Sequence, residues 1–268
     1  FRLLPENVSG NKEDLRKVML EQNLHSVFRL ADDEDLRKLI LEDNTWKLWP
    51  ILNRFIDTQF VAAFKNFFVN DTEIWNDCFS RGQLQSKLWL VHELKKCNVE
   101  LGTVFLCAGW YATLATMLFE SNIKVDKIRS FDLDPSCVDI AETFNKPWVM
   151  DNWKFKATTK DIMDMDYDHY CYKSTRSNGS ECELVDSPDT IINTSCEHME
   201  QEDLLNIIRD KPKDAWICFQ TNDYTALDAH INCWPDADMF ADSLGLEYVA
   251  YKGSLNLGDF NRHMVIGK

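Results

Sequence analysis

The spacing of apolar residues changes well before the middle of this chain. Residues 1–98 place apolar side chains three and four positions apart, the spacing of amphipathic helices. Asn11 can cap the first of these helices, and Pro50 can begin or kink a later one. Beyond this part, short apolar runs alternate with helical segments. We therefore predict a helical N-terminal subdomain over residues 1–98 and an α/β domain over residues 99–268.

Seven apolar runs in the second part predict seven β-strands. They lie at 103–107, 128–132, 153–157, 189–194, 215–220, 246–251 and 262–267. Helical segments between the early runs favour a doubly wound, mostly parallel, Rossmann-like sheet. The last two runs are close enough to pair as an antiparallel hairpin. The polar stretch 167–188 predicts an inserted flexible loop or small hairpin before the fourth strand.

The first two predicted strands of the sheet indicate a ligand site. The run from Val104 to Leu106 ends in a turn of small residues, and the next apolar run ends on Asp132. Turn and acid stand about twenty residues apart, as in βαβ units that bind a nucleotide over the first turn and its ribose on the acid. We interpret this stretch as a site for an adenosine cofactor, with an ordinary strand–turn–helix as the alternative.

The composition of the turn narrows the choice of cofactor. Gly109 is its only glycine, and Trp110 and Tyr111 would crowd a pyrophosphate. S-adenosylmethionine has no pyrophosphate, so it fits this turn better than a dinucleotide does.

Composition and charge limit the partners. The formal net charge of −15 disfavours a nucleic-acid substrate and favours a small or cationic one. No apolar run reaches the ~20 residues of a membrane helix, and the N-terminus has no hydrophobic signal core. With nine scattered cysteines, these features predict a cytoplasmic protein that does not enter a membrane. The oligomeric state stays open.

A metal site is not expected from the cysteine and histidine spacing. Cys171, Cys182, Cys196 and His198 are the candidates, but their spacing matches no common zinc finger or ribbon.

Four sequence segments resemble the motifs of class I S-adenosylmethionine-dependent methyltransferases. In chain order they are TVFLCAGWYATL, RSFDLDPSCVDIA, KFKATTKDIMDM and DTIINTSCEHM. The resemblance covers residues from about 100 to 268 and implies a Rossmann-like domain that binds S-adenosylmethionine. The cofactor-site residues that it implies are Cys107, Ala108, Gly109, Tyr111, Asp132, Asp134, Asp161, Asn193 and Thr194.

The first motif departs from that family. Phe105 stands where the family has an acid, and Cys107 replaces a glycine. Nicotianamine synthases, which transfer an aminocarboxypropyl group, also have an apolar residue at the first of these positions. The methionine end of the cofactor then needs another anchor. We expect it on the polar face of the helix before the first strand, although a solvated face is the alternative; the residues are Arg81, Gln83, Ser86 and Lys87.

Candidate catalytic residues follow the fourth and fifth predicted strands, at the carboxyl end of the sheet. Glu197 and His198 can supply a base, or they can begin a helix. Asn222 and Tyr224 can bind a polar acceptor, or they can form a turn.

Three functions remain open from sequence alone. The first is methyl transfer to a small polar acceptor. The second is another reaction of the same cofactor, such as aminocarboxypropyl transfer or cofactor cleavage. The third is a non-catalytic binding module with a methyltransferase-like fold, because a fold does not determine a function.

Overall fold

The computed structural model describes Cys78 and residues 80–175 and 179–268. The helices predicted around Asn11 and Pro50 lie outside the described residues. The chain divides into two compact units, Phe1–Leu84 and Gln85–Lys268. Each predicted strand has an observed counterpart in the second unit.

Six α-helices, nine strands and two short 3-10 helices, Ile162–Asp164 and Cys196–His198, form the described part. The helices are α1 Arg81–Lys96, α2 Thr113–Phe119, α3 Ser136–Phe144, α4 Lys146–Met150, α5 Gln201–Asp210 and α6 Ala237–Leu244. The strands are β1 Gly102–Cys107, β2 Val125–Asp132, β3 Phe155–Thr159, β4 Tyr170–Thr175, β5 Glu181–Asp186, β6 Thr190–Asn193, β7 Trp216–Asn222, β8 Val249–Asn256 and β9 Asn261–Gly267.

Seven strands form one sheet in the order β3-β2-β1-β6-β7-β9-β8. The first five strands of that order are parallel, and β9 runs antiparallel to both of its neighbours. The predicted Rossmann-like sheet with a C-terminal antiparallel hairpin is therefore confirmed. The hairpin turn closes with a 2.9 Å bond from the Leu257 amide to the Phe260 carbonyl, and Gly258 takes a positive φ of 103° there.

The polar insertion forms a hairpin. Strands β4 and β5 pair with each other in a separate two-stranded antiparallel sheet. A buried ion pair ties this hairpin to the main sheet, with 2.6 Å between Arg129 Nε on β2 and Asp186 Oδ2 on β5. Of the two alternatives predicted for 167–188, the small hairpin is confirmed.

Helices cover both faces of the main sheet, as the doubly wound pattern predicts. On one face, Phe105, Phe131 and Phe219 are fully buried in a cluster that includes Leu204 of α5 and Phe240 of α6. Helix α6 has local signals at both ends. The Asp236 carboxylate accepts a bond from the Met239 amide, and Gly245 ends the helix in the left-handed region.

On the other face, α1 is fastened to the sheet by long-range hydrogen bonds. The Gln220 side-chain amide on β7 donates to the Ser86 carbonyl at 3.1 Å. The Trp89 indole donates to the Tyr251 hydroxyl at 3.2 Å. These contacts place α1 against β7 and β8.

Candidate functional site

The turn after β1 lies where the carboxyl ends of three parallel strands meet. Cys107 at the end of β1 is in register with Phe131 on β2 and Asn193 on β6. The amide of Lys160, just after β3, donates to the carbonyl of Asp132 at 2.9 Å. Most of the predicted cofactor residues therefore gather at one edge of the sheet, which is where ligands bind in open α/β sheets.

The turn itself has an unusual backbone. Ala108, Trp110 and Ala112 have φ values of 49°, 50° and 52°, in the left-handed region that side chains disfavour. A non-glycine residue held there costs on the order of 1–3 kcal/mol and persists only where the surrounding structure enforces it. The Ala112 amide enforces part of it by donating to the Gly109 carbonyl at 2.8 Å. Such turns concentrate at ligand sites.

Gly109 is needed for a contact inside the protein. It is absent from the positive-φ residues of the described chain, so backbone conformation does not demand a glycine. A Cβ atom added there would lie 2.1 Å from Ser130 Oγ and 3.2 Å from Leu106 Cγ. The turn therefore packs directly on β2, and this packing excludes a side chain whether or not a ligand is bound.

Asp132 connects the turn to the second strand. Its Oδ2 accepts a bond from the Trp110 amide at 2.8 Å, and its Oδ1 accepts one from the Asp134 amide at 3.1 Å. An ionised carboxylate offers about four lone-pair positions, so two remain for further hydrogen-bond donors. The turn and the acid, about twenty residues apart in the sequence, are thus joined by a direct hydrogen bond.

The side chain of Asp134 has a local partner instead. Its Oδ1 accepts a bond from the Ser136 amide at 2.8 Å, at the start of α3. Hydrogen bonds from Ser136 lower the pKa of this exposed carboxyl group. Asp134 therefore stabilises the turn that leads into α3.

Cys107 turns its side chain away from the ligand edge. The thiol is fully buried, 3.9 Å from the Tyr167 hydroxyl, and burial raises its pKa to about 12. Phe105 is also fully buried and packs edge-to-face on Phe131 at a centroid distance of 5.2 Å. The side chains of Phe105 and Cys107, the two residues that depart from the family motif, are therefore part of the hydrophobic core. Only the backbone of Cys107 is available at the carboxyl edge of the sheet.

Tyr111 is buried next to the turn, with its ring centroid 4.6 Å from that of Trp110. Asp161 is exposed after β3 and accepts a bond from the Met163 amide at 2.9 Å. Asn193 is fully buried, and its Oδ1 accepts from the Ser195 amide at 2.8 Å. The Thr194 carbonyl accepts a bond from Arg262. These residues lie around the same edge and shape its loops.

The expected anchoring face of α1 is only partly exposed to solvent. Ser86 and Lys87 are both buried, so the solvated alternative is wrong for these two residues. Gln83 is half-buried, and its backbone amide donates to Ser80 Oγ at 3.4 Å. The side chain of Arg81 lies outside what the structure describes.

Glu197 forms a buried ion pair. Its Oε1 lies 2.7 Å from Arg262 Nη1, and the two side chains are only 5% and 8% exposed. Its backbone carbonyl accepts bonds from the amides of Ile231 and Asn232. The carboxylate is therefore held by Arg262 and the backbone carbonyl holds the 231–232 segment, so Glu197 is a positioning residue in this arrangement.

His198 and His230 are in contact with each other. Their ring centroids are 4.8 Å apart in an edge-to-face arrangement. His198 Nδ1 lies 3.0 Å from the Ala229 carbonyl, and His230 Nδ1 lies 2.7 Å from the Tyr224 carbonyl. The Tyr224 ring also contacts the His230 ring at 5.9 Å.

Asn222 supports the loop that carries these residues. Its Oδ1 accepts from the Tyr224 amide at 2.9 Å, and its carbonyl accepts from the Trp234 amide at 2.9 Å. The side chain is 1% exposed. The turn alternative is therefore the better interpretation of Asn222.

Sequence reasoning gave too little weight to two residues here. Arg262 was overlooked, although a basic residue inside the apolar run of β9 is a signal for a buried partner. His230 is absent from the residues that the sequence predicts for the site. Its proximity to His198 depends on a tertiary contact that residue spacing does not reveal.

Comparison with known proteins identifies the fold. No protein-family model and no curated protein sequence matches the chain. Among solved structures, N-methyltransferase NodS from Bradyrhizobium japonicum WM9 is 11% identical, with a TM-score of 0.50 over 72% of this chain and 97% of that one. The [4+2]-cyclase SpnF is 9% identical, with a TM-score of 0.51 over 69% and 82%.

A third similar structure is a complex between the Haloferax volcanii Trm112 methyltransferase activator and a methyltransferase. The matching chain of that complex is 14% identical, with a TM-score of 0.50 over 69% of this chain and 90% of that one. The described domain therefore has the class I S-adenosylmethionine-dependent methyltransferase fold. Among the described residues, no helix is long and apolar enough to cross a membrane.

Proposed function

We propose that this protein is a methyltransferase that uses S-adenosylmethionine to methylate a small polar acceptor. The contact between Asp132 Oδ2 and the Trp110 amide carries the proposal. It joins the turn over which an adenosine cofactor would lie to the acid that would hold its ribose, at the ligand edge of the fold.

Methyl transfer requires little covalent participation by the protein. The sulfonium already activates the methyl group, so the enzyme must hold acceptor, carbon and sulfur in line at about 3 Å. His198, His230 and Tyr224 lie just past β6 and β7 at the same edge and are the side chains that we assign to the acceptor. Glu197 and Asn222 position them.

A small acceptor and a cytoplasmic location fit the rest of the chain. A net charge of −15 opposes the phosphate backbone of a nucleic acid. The eight cysteines from Cys97 to Cys233 are outside any disulfide, as expected in a reducing compartment.

A second reaction of the same cofactor is favoured by one observation. The family's acid at the end of β1 is replaced by Phe105, which is fully buried in the core. The methionine end of the cofactor would therefore be held differently, as expected if the aminocarboxypropyl group is the one transferred.

Calorimetry and product analysis test the proposal together. The purified chain should bind S-adenosylmethionine and S-adenosylhomocysteine, and incubation with S-adenosylmethionine and a cell extract should release S-adenosylhomocysteine. Release of methylthioadenosine would instead select aminocarboxypropyl transfer. If neither cofactor nor product binds the folded protein, the fold serves as a non-catalytic module and the proposal is wrong.

A further inference from the structure

Three potential metal ligands converge beside the proposed acceptor site. Glu197, His198 and His230 place one ligand atom each within 4.8 Å of the other two. Glu197 is buried, His230 is half-buried and His198 is exposed. The cluster is thus open to solvent on one side and closed on the other.

The hydrogen bonds of both histidines leave a ring nitrogen with a lone pair. A backbone carbonyl can only accept, so the Nδ1 atoms near Ala229 and Tyr224 must carry the protons. In a neutral imidazole the other nitrogen, Nε2, is then unprotonated. Metal-binding histidines are oriented by this same arrangement, in which the second nitrogen donates to a carbonyl.

The glutamate has an unsatisfied oxygen. Glu197 Oε1 is bonded to Arg262, but Oε2 is buried and has no hydrogen-bond partner among the described residues. An unsatisfied charged oxygen in the interior is destabilising because it has lost its hydration without gaining a partner. A cation beside Oε2 removes that cost.

We propose that Glu197 Oε2 and the Nε2 atoms of His198 and His230 bind a divalent transition-metal ion of the Zn²⁺ type. Two imidazoles and a carboxylate are a ligand set that such ions accept, and three protein ligands leave a coordination position open. The exposed side of His198 gives the ion access from solvent.

Arg262 orients the glutamate in this site. It donates to both Glu197 Oε1 and the Thr194 carbonyl, and these bonds hold the carboxylate while Oε2 is left without a hydrogen-bond partner among the described residues. The positive charge of Arg262 also opposes a second cation. We therefore expect weaker binding than at a site whose carboxylate has no basic neighbour.

The open position gives the ion a role that rests on the proposed function. The open coordination position lies past β6, next to the edge of the sheet where the cofactor would bind. The ion could therefore hold an oxygen, nitrogen or sulfur atom of the acceptor at this position. A bound metal lowers the pKa of a coordinated hydroxyl or thiol, and the released proton passes to solvent. In that case the acceptor needs no protein base.

Cobalt titration tests the site without any cofactor. The purified chain, stripped with a chelator and returned to metal-free buffer, is titrated with Co²⁺ while its visible absorption is recorded, and Zn²⁺ is then added as competitor. We expect saturation at one ion per chain, an absorption band in the visible range and displacement by Zn²⁺.

Variants locate the binding. His198→Ala and His230→Ala should each weaken Co²⁺ binding by more than about tenfold, since losing even an outer partner of a metal ligand costs ~10–100-fold. His169→Ala, an exposed histidine after β3, is the matched control and should bind as the unmodified protein does. Circular dichroism confirms that each variant is folded.

Two results would overturn the metal site. One is absence of saturable Co²⁺ binding to the folded protein, and the other is equal affinity in the three histidine variants. Calorimetry with S-adenosylmethionine on the same preparations separates the two proposals. Metal binding without cofactor affinity contradicts only the proposed function, whereas cofactor affinity without metal binding contradicts only the metal site.

Discussion

Asp132 has two tasks in the proposed site, and they can be separated by substitution. Its carboxylate holds the strained turn through the Trp110 amide and keeps lone pairs for ribose hydroxyls. Asp132→Ala removes both. We expect it to weaken S-adenosylmethionine binding by about 2–4 kcal/mol, because hydrogen bonds to a charged group contribute ~1.5–3 kcal/mol each and do not add fully.

Asp132→Asn retains an acceptor for the Trp110 amide and should lose less affinity than the alanine variant. Asp139→Ala, on the exposed side of α3, is the control for lost charge. Calorimetry on folded protein provides the comparison. Unchanged affinity in Asp132→Ala would remove the ribose assignment.

We predict that Gly109 and Ser130 are energetically coupled. The Cβ of an alanine at 109 would clash with Ser130 Oγ, so Gly109→Ala should displace the turn and weaken cofactor binding. Adding Ser130→Ala removes the hydroxyl and leaves the 3.2 Å contact with Leu106 as the tightest one. The double variant should therefore recover part of the affinity.

Ser130→Ala alone is the control and should bind almost normally. The cofactor affinities of the two single variants, the double variant and the unmodified protein complete a double-mutant cycle. If the two substitutions prove additive, the turn does not depend on the contact with Ser130.

At the scale of elements, the β4–β5 hairpin depends on one carboxylate. Asp186 accepts bonds from Arg129, Lys127 and the Tyr172 hydroxyl, and Arg129 is only 2% exposed. Asp186→Asn leaves the buried guanidinium without its counter-charge. We expect a loss of about 3–5 kcal/mol in the free energy of unfolding, measured by urea denaturation.

Lys127→Met removes a partner that is 44% exposed and should cost less than ~1 kcal/mol, which makes it the matched control. If Asp186→Asn costs no more than Lys127→Met, the hairpin is held by other contacts.

The same carboxylate makes this contribution depend on pH. Burial raises the pKa of Asp186, but hydrogen bonding from Lys127 and the charge of Arg129 outweigh burial, so its folded pKa is lowered. Its stabilisation is therefore present above the unfolded value of ~3.9 and is lost as the pH falls through the folded value. The difference between Asp186→Asn and the unmodified protein should shrink below about pH 4.

The sequence predicts elements better than it predicts contacts between them. The spacing from Gly109 to Asp132 was sufficient to place turn and acid together because β1 and β2 are adjacent parallel strands. The hairpin of β4 and β5 was ambiguous, because its polar strands alternate only weakly and its stability depends on Arg129 of another strand.

The cluster of Glu197, His198 and His230 could not be predicted from spacing. Metal motifs recognisable in a sequence place their ligands a few residues apart, whereas His230 reaches His198 through a loop that follows β7. Likewise, the left-handed backbone at Ala108 and Trp110 is imposed by neighbouring strands, since neither residue prefers it. Tertiary structure determines these features.

At the scale of the whole molecule, His263 couples global stability to pH. It is 1% exposed on β9, between β7 and β8, Nδ1 lies 2.7 Å from Ser254 Oγ, and Nε2 has no partner within the described structure. Burial lowers its pKa, and the charge of Arg262 adds to this while Asp223 opposes it. The unfolded chain therefore takes up a proton at this residue at a higher pH than the folded chain does.

Stability should consequently decrease as the pH falls below the unfolded value of ~6.5, until the folded value is reached. His263→Gln, which cannot titrate, should flatten the dependence of the free energy of unfolding on pH between about 5 and 7. Urea denaturation at several pH values measures the slope. An equal slope in both proteins would mean that other groups cause it.

The position of β9 has a consequence for how this protein is made. β9 lies between β7 and β8, although it follows both of them in the chain. During synthesis, β8 therefore leaves the ribosome with no strand to pair with, and β7 keeps an open edge until Gly267 has emerged. Because an unpaired edge invites pairing with other chains, a ribosome that pauses within β9 exposes the nascent protein to aggregation.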